Sequence, residues 1–230
     1  YKNLLVNNIN GLIVIGGNGT LKGINIFSKE YNFPIISIPG TIDNDIYGTD
    51  LTLGYDTALN TIVKSIEEIK NIAVANNRIF IIEVMGKNSP YLAYNSGLTL
   101  NALSIIYNND YNKNIKHIKN KINKKYLESH IIIVAENKIF GNSSKFIYKK
   151  LKNIITNYEL RHTILGYIQR GGVPTCLDRI LGIKFGIRAV NELIKYKNNI
   201  VIGIRNNKIV TIKLTESISK KNKKISYLNL

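Results

Sequence analysis

Asp43 and Asp45 are the residues of this sequence best placed to do chemistry. They stand two apart in Pro39-Gly40-Thr41-Ile42-Asp43-Asn44-Asp45, directly after the apolar run Ile35-Ile36-Ser37-Ile38. Two carboxylates so spaced on a loop can project into one cleft. There one accepts a proton from a hydroxyl while the other stays charged, to orient a group or hold a metal. A second stretch, Gly16-Gly17-Asn18-Gly19-Thr20, joins the apolar run 11–15 to an amphipathic segment. Strand, glycine turn and helix start together let backbone N–H groups close on phosphate oxygens. No Gly-Lys-Ser/Thr follows, so the turn is not a Walker A loop, and it lacks the Gly-x-Gly-x-x-Gly of dinucleotide folds. Each motif alone has a plainer reading: an Asx-closed polar turn for the first, simple turn geometry for the second.

The elements that must hold these residues follow from the apolar patterning. Segments 11–15 and 35–38 are short β-branched runs bounded by Gly or Pro, the signature of buried strands. The loop after such a strand leaves the C-terminal edge of a sheet, where open α/β folds place their ligands. Helices are predicted over 20–31, 53–73 (apolar at Ala58, Ile62, Ile66 and Ile69), 89–100, 111–125, 143–157 and 177–195. Strands are predicted at 78–84, 103–106, 131–134, 164–168, 200–204 and 208–210. Their alternation predicts an α/β fold with largely parallel sheets flanked by helices and right-handed crossovers.

A net charge of +17 over 230 residues would suit nucleic acid or anionic metabolites. The lysines, however, are spread over segments such as 112–125 and 219–224, with no RNA- or DNA-binding motif among them. Diffuse charge of that kind gives only nonspecific, salt-sensitive affinity, so no nucleic-acid partner is expected. Nor is a membrane, since no apolar run is long enough to span one and the N-terminus lacks a signal-peptide pattern. Cys176 is the single cysteine, which excludes an intramolecular disulfide, and His117, His130 and His162 show no metal-ligand spacing. A reducing cytoplasm fits.

Together, Gly-Gly-Asn-Gly-Thr and Pro-Gly-Thr-Ile-Asp-Asn-Asp at this spacing resemble the 6-phosphofructokinase family, bacterial type and ATP-dependent. The resemblance continues through Arg78, Glu83-Val84-Met85-Gly86, Ala135-Glu136, Arg161 and Leu165-Gly166-Tyr167-Ile168-Gln169-Arg170-Gly171-Gly172, in order over nearly the whole chain. It implies two interleaved α/β domains: a nucleotide half from 1–54 with 168–214, and a sugar-phosphate half from 55–167 with 215–230. Against the family pattern the sequence starts after the first strand, its glycine-rich nucleotide loop and a basic phosphate contact. That start is read as either a fragment or a reduced gene.

The resemblance implies phosphorylation of fructose 6-phosphate by ATP in glycolysis, with Mg²⁺ as cofactor and a homotetramer whose sites are shared between subunits. Asp43 matches the family's general base, Asp45 its partner carboxylate, and Thr41 and Ile42 the contacts beside the transferred group. Gly17, Asn18, Gly19 and Thr20 match the nucleotide turn, with Asn18 at the metal position, where the family has Asp. Arg78, Arg161 and Arg170 match phosphate-binding arginines, the first two serving a neighbouring subunit. Met85, Gly86, Lys87, Glu136, Tyr167, Ile168 and Gln169 match the sugar-binding shell, with Lys87 replacing Arg and Tyr167 replacing His. Gly19 and Gly40 resemble the ATP users rather than the pyrophosphate users. At the effector site Leu127 and Glu128 stand where lysines are usual, though Lys125 remains, so weak or absent nucleotide regulation is expected. The alternative from a different class is a non-catalytic homologue or partner subunit that binds sugar phosphate.

Overall fold

Two apolar runs that the sequence marks as strands lie side by side. Leu12–Gly16 (β1) pairs in parallel with Ile35–Pro39 (β2), Leu12 beside Ile35 and Gly16 beside Pro39. The computed structural model describes residues 1–86, 89–107, 110–123, 129–136, 143–195 and 198–220. After a short N-terminal helix, Lys2–Val6 (α1), the chain runs through β1, Asn18–Tyr31 (α2), β2, Tyr55–Ala75 (α3), Arg78–Val84 (β3), Tyr91–Thr99 (α4) and Ser104–Ile106 (β4). It continues through Tyr111–Ile122 (α5), Ile131–Ala135 (β5), Ser143–Lys152 (α6), Glu159–Ile164 (β6) and the 3₁₀ turn Gly166–Arg170. Cys176–Ile194 (α7), Ile200–Arg205 (β7), Lys208–Lys213 (β8) and Leu214–Ser219 (α8) complete it.

The described strands form two sheets, ordered β1-β2-β7-β8 and β4-β5-β3-β6. All pairings are parallel except the β7–β8 hairpin, whose turn Asn206-Asn207 takes two left-handed residues. That is the conformation a tight hairpin needs and that Asn tolerates. The chain divides into two units: Tyr1–Tyr55 with the residues from Pro174 on, and Asp56–Val173.

In the first unit β2 is buried along its whole length, as a central parallel strand should be. Its Ile36 and Ile38 pack with Leu181, Phe185 and Ala189 of α7 and Ile202 and Ile204 of β7. In a separate cluster Leu21 of α2 and Leu214 of α8 pack with Ile46 and with Val201 of β7. α7 is apolar well beyond its buried face: Leu177, Ile180, Ile183, Ile187, Val190 and Ile194 form an exposed stripe. In the second unit the inner strands β3 and β5 bury Ile79, Ile81, Ile132 and Val134 against Ile118 of α5 and Ile147 and Leu151 of α6.

Several boundaries differ from the sequence reading. The strand expected at 164–168 lies upstream, at Glu159–Ile164, and 166–170 is a 3₁₀ turn. β6 is an edge strand that buries only Leu160, so its polar sequence Glu-Leu-Arg-His-Thr-Ile hides the pattern that marks inner strands. α6 stops at Lys152, where Ile155 leaves the helix and joins the core. Residues 168–173 belong to the second unit, because the Gln169 side chain is bonded there. α8 lies with the first unit, where Ser217 Oγ donates to the Tyr47 carbonyl at 2.9 Å. Among the described residues no helix is long and apolar enough to cross a membrane.

Candidate functional site

In the first unit the glycine turn and the acidic loop are folded onto each other. Gly17 is the N-cap of α2, so Asn18, Gly19 and Thr20 are its first turn rather than a loop. Gly16 permits this, since a Cβ there would lie 2.4 Å from Thr20 Oγ1. A Cβ on Gly17 would stand 3.3 Å from that of Thr41, so the two motifs approach at backbone distance. Asn18 Nδ2 donates to Asp45 Oδ2 at 2.7 Å. The start of a fourteen-residue helix, with the positive end of its dipole, thus lies beside Asp45.

Asn44 holds the acidic loop from within. Asn44 is buried with φ of 49°, a left-handed conformation that Asn tolerates. Its Nδ2 donates to the Asp50 carbonyl at 3.0 Å, and its Oδ1 accepts from the Thr52 N–H at 2.8 Å. Thr52 Oγ1 donates to the Thr41 carbonyl at 2.6 Å, and the Thr41 N–H reaches the Leu53 carbonyl at 3.0 Å. The Asp43 N–H donates to Thr41 Oγ1 at 3.2 Å. The polar-turn reading therefore applies to Asn44, which leaves Asp43 and Asp45 half-buried on either side of it. Ile42 is half-buried in the same turn, and Asp178 anchors the far end by accepting the Gly54 N–H at 2.9 Å.

The second unit gathers the other predicted residues into two places. At the C-terminal ends of β3 and β5, Met85 and Gly86 form a turn in which Gly86 takes φ of +138°. A Cβ there would also lie 2.6 Å from the Ser89 carbonyl oxygen, so this position demands glycine. Lys87 lies outside the described residues, as do Lys125, Leu127 and Glu128 of the expected effector site. The Glu136 N–H donates to the Val84 carbonyl at 2.8 Å, which sets Glu136 beside the Met85 turn. Gln169, expected to touch a ligand, is turned inward and 1% exposed. Its Oε1 accepts from the Met85 N–H and its Nε2 donates to the Gly166 carbonyl, both at 2.9 Å. It fastens the 3₁₀ turn to the Met85 turn. On that 3₁₀ turn Tyr167 and Ile168 are exposed, and the Arg170 guanidinium lies 5.4 Å from the Tyr167 ring centroid. A cation–π contact takes the place of the imidazole the family pattern expects there.

Arg78 and Arg161 form the second group, on adjacent strands and joined by a residue the sequence reading passed over. Glu159 stands opposite Arg78 in register. Its Oε2 accepts from Arg78 Nε at 2.5 Å, while Oε1 pairs with Arg161. The Arg78 hydrogen bond first, then the nearby Arg161 charge, hold the Glu159 carboxyl below the usual range against its partial desolvation. Two guanidinium forks on one carboxylate leave a net positive charge, suited to a phosphate dianion. Glu159→Gln is expected to tighten inorganic phosphate binding about two- to fivefold at low salt, the scale of an exposed ion pair. The gain should fade as salt is raised, with little change in melting temperature. Titration of phosphate by calorimetry at two ionic strengths checks this, and weaker binding would sink it.

The comparisons with known proteins agree with one another. Residues 1–193 match the family model described as Phosphofructokinase. The chain is 39% identical over 221 residues to ATP-dependent 6-phosphofructokinase 2 of Bacteroides thetaiotaomicron, covering 95% of this chain and 67% of that protein. It is 43% identical over 224 residues to ATP-dependent 6-phosphofructokinase of Caldanaerobacter subterraneus subsp. tengcongensis, covering 96% and 68%. Among solved structures it superposes on phosphofructokinase from Saccharomyces cerevisiae with a TM-score of 0.82 and 28% identity, over 94% of this chain and 33% of that one. A pyrophosphate-dependent phosphofructokinase from Marinobacter aquaeolei, at 17% identity and a TM-score of 0.75, shares the fold. The chain thus spans about two thirds of the length of these curated relatives and a third of the yeast chain.

Proposed function

This chain belongs to the phosphofructokinase family, and we propose that it transfers the γ-phosphoryl group of ATP to fructose 6-phosphate, giving fructose 1,6-bisphosphate. The observation that carries the reading is the joining of the α2 start to the acidic loop through Asn18 and Asp45, two residues along from Asp43. Phosphoryl transfer asks for in-line positioning, neutralisation of phosphate oxygens and a group to take the attacking hydroxyl's proton. The N–H groups at the start of α2 face the nucleotide phosphates. Asp43 accepts the proton of the sugar 1-hydroxyl, and Thr41 and Ile42 border the transferring group. Glu136 accepts from a sugar hydroxyl, the Met85-Gly86 turn shapes the wall beside it, and Arg78, Arg161 and Arg170 hold phosphate. Arg78 and Arg161 serve a neighbouring subunit, so the working form is an oligomer, a homotetramer in the cytoplasm.

The donor set at Asn18 fits a magnesium ion that arrives with the nucleotide. Asp45 offers one carboxylate and Asn18 an amide oxygen, and Mg²⁺ takes one or two protein ligands, filling its octahedron with water and phosphate oxygens. Among the described residues no cluster of three His, Cys, Asp or Glu could hold it unaided. When bound, the ion neutralises charge on the phosphates.

The test is fructose 6-phosphate-dependent release of ADP, run beside Gly19→Asp and with pyrophosphate replacing ATP. A Cβ at Gly19 meets nothing within 4 Å and the position is exposed, so Gly19→Asp should fold normally. Its carboxylate beside the phosphate path should raise KM for ATP about tenfold, the cost of a like charge of roughly 1.4 kcal/mol. Activity with pyrophosphate alone would overturn the ATP reading. A second reading draws on the Asn18–Asp45 hydrogen bond itself, which satisfies Asp45 without a cation. It makes the chain a sugar-phosphate-binding partner subunit without catalysis, and sugar-phosphate binding with no ADP release in the full assembly would favour it.

A further inference from the structure

Glu83 is 4% exposed within the strand Arg-Ile-Phe-Ile-Ile-Glu-Val, a position a carboxylate holds only with partners. One set of partners is the first turn of α6. The Ser144 N–H donates to Glu83 Oε2 at 2.8 Å, and the Ser144 hydroxyl and the Ser143 N–H also reach the carboxylate. The other neighbour is Glu136. Glu83 stands beside Val134 in register, and side chains alternate along a strand, so Glu83, Val134 and Glu136 share one face of the sheet. The Glu136 N–H, bonded to the Val84 carbonyl, fixes that residue's backbone one step beyond Glu83. Glu136 Oε2 is buried and accepts no hydrogen bond. Two carboxylates therefore share a face: one is tied to a helix start, and the other keeps a buried oxygen with no donor.

We propose that Glu83 is a positioning residue for Glu136. Fixed by the first turn of α6, its negative charge keeps the Glu136 carboxylate turned away from it, toward the hydroxyl of a bound sugar phosphate. This rests on the reading of Glu136 as a sugar contact. The charge on Glu83 is conditional on pH. Burial pushes its carboxyl above the usual range, the Ser144 and Ser143 groups pull it back, and the charge of Glu136 pushes it up again. On α6 the charged residue next to Ser144 is Lys145. β6 sets Ile164 opposite Glu83, with Arg161 and His162 lower down opposite Phe80 and Ile81. The 3₁₀ turn presents the Gln169 amide to Met85, and its Arg170 lies over Tyr167. As pH falls through the raised value, Glu83 takes a proton while ordinary carboxylates stay charged. The repulsion then disappears, and Glu136 loses its aim.

The experiment is KM for fructose 6-phosphate against pH in the parent, Glu83→Gln and Glu83→Asp. Calorimetric binding of fructose 6-phosphate without nucleotide serves as a readout independent of turnover. The parent KM should rise on acidification below neutral pH. Glu83→Gln, neutral throughout and close in shape, should show a KM raised about two- to tenfold at neutral pH, the net worth of one hydrogen bond. Its profile should lose the acid limb that Glu83 adds and keep only the limb of the substrate's own phosphate, whose second pKa is about 6, with kcat held. Glu83→Asp keeps the charge and should keep the acid limb. A Glu83→Gln profile that superimposes on the parent overturns the proposal, as does a fall in kcat with KM unchanged. Absence of sugar-phosphate binding in the parent overturns the functional reading beneath it, and is told apart by needing no variant.

Discussion

Replacing Asp43 with serine is expected to lower kcat by about 10²–10⁴, the usual contribution of an acid–base group, and to leave KM for fructose 6-phosphate where it was. The loop's architecture makes this a clean experiment. Its fold depends on Asn44, whose side chain bonds Asp50 and Thr52, and on Thr41 and Thr52. The hydrogen bond from residue 43 to Thr41 Oγ1 comes from a backbone N–H that serine keeps. Loss of the carboxylate removes a proton acceptor while the Asn44, Thr41 and Thr52 hydrogen bonds remain, and kcat and kcat/KM should fall together, as for an interaction made only in the transition state. Asn44→Ala is the contrasting case: it leaves buried partners unsatisfied and should lower the melting temperature. Steady-state kinetics with a thermal melt of each variant separate the two, and unchanged turnover in Asp43→Ser would remove Asp43 from the role of base.

That contrast also shows what the sequence could disclose. Inner strands such as Ile35–Pro39 and Ile131–Ala135 were legible because a strand buried on both faces must be apolar throughout. β6 was not, because at an edge one buried leucine suffices and the remaining positions answer to solvent. The two site motifs were legible as local chemistry: a glycine turn before a helix and a pair of spaced carboxylates. Their contact was not, since Asn18 and Asp45 are 27 residues apart and their hydrogen bond is a tertiary fact. Gln169 and Glu159 show the same limit from two sides. A polar residue in a motif resembles a ligand contact until its amide is found bonded to Met85 and Gly166. An acidic residue outside any motif looks like surface until two arginines converge on it. The membership of 168–173 in the second unit follows from such side-chain bonds, which no periodicity records.

Asn18→Asp should make the first unit depend on a divalent cation. In the parent, Asn18 Nδ2 meets Asp45 Oδ2 at 2.7 Å, a neutral donor satisfying a carboxylate. With aspartate at 18 that donor becomes a second acceptor, and two like charges face each other at contact distance. Without metal, the lost bond should cost about 1–2 kcal/mol for so partly exposed a pair, a fall in melting temperature of roughly 2–8 °C for a chain of this size. Magnesium should reverse the loss, because two carboxylates meet the preference of a hard cation better than one carboxylate and an amide. Stabilisation of about 2.7 kcal/mol is expected once Mg²⁺ reaches a hundred times its dissociation constant. The parent should show little thermal response to the same titration, because its Asn18–Asp45 bond already does the cation's structural work. A melt of both chains with and without Mg²⁺ reads this without any turnover. If the variant is as stable as the parent in chelator and indifferent to Mg²⁺, then Asn18 and Asp45 do not form the cation position. If the cation response appears and ADP release rises with it, the amide at position 18 is what holds the parent's catalysis down.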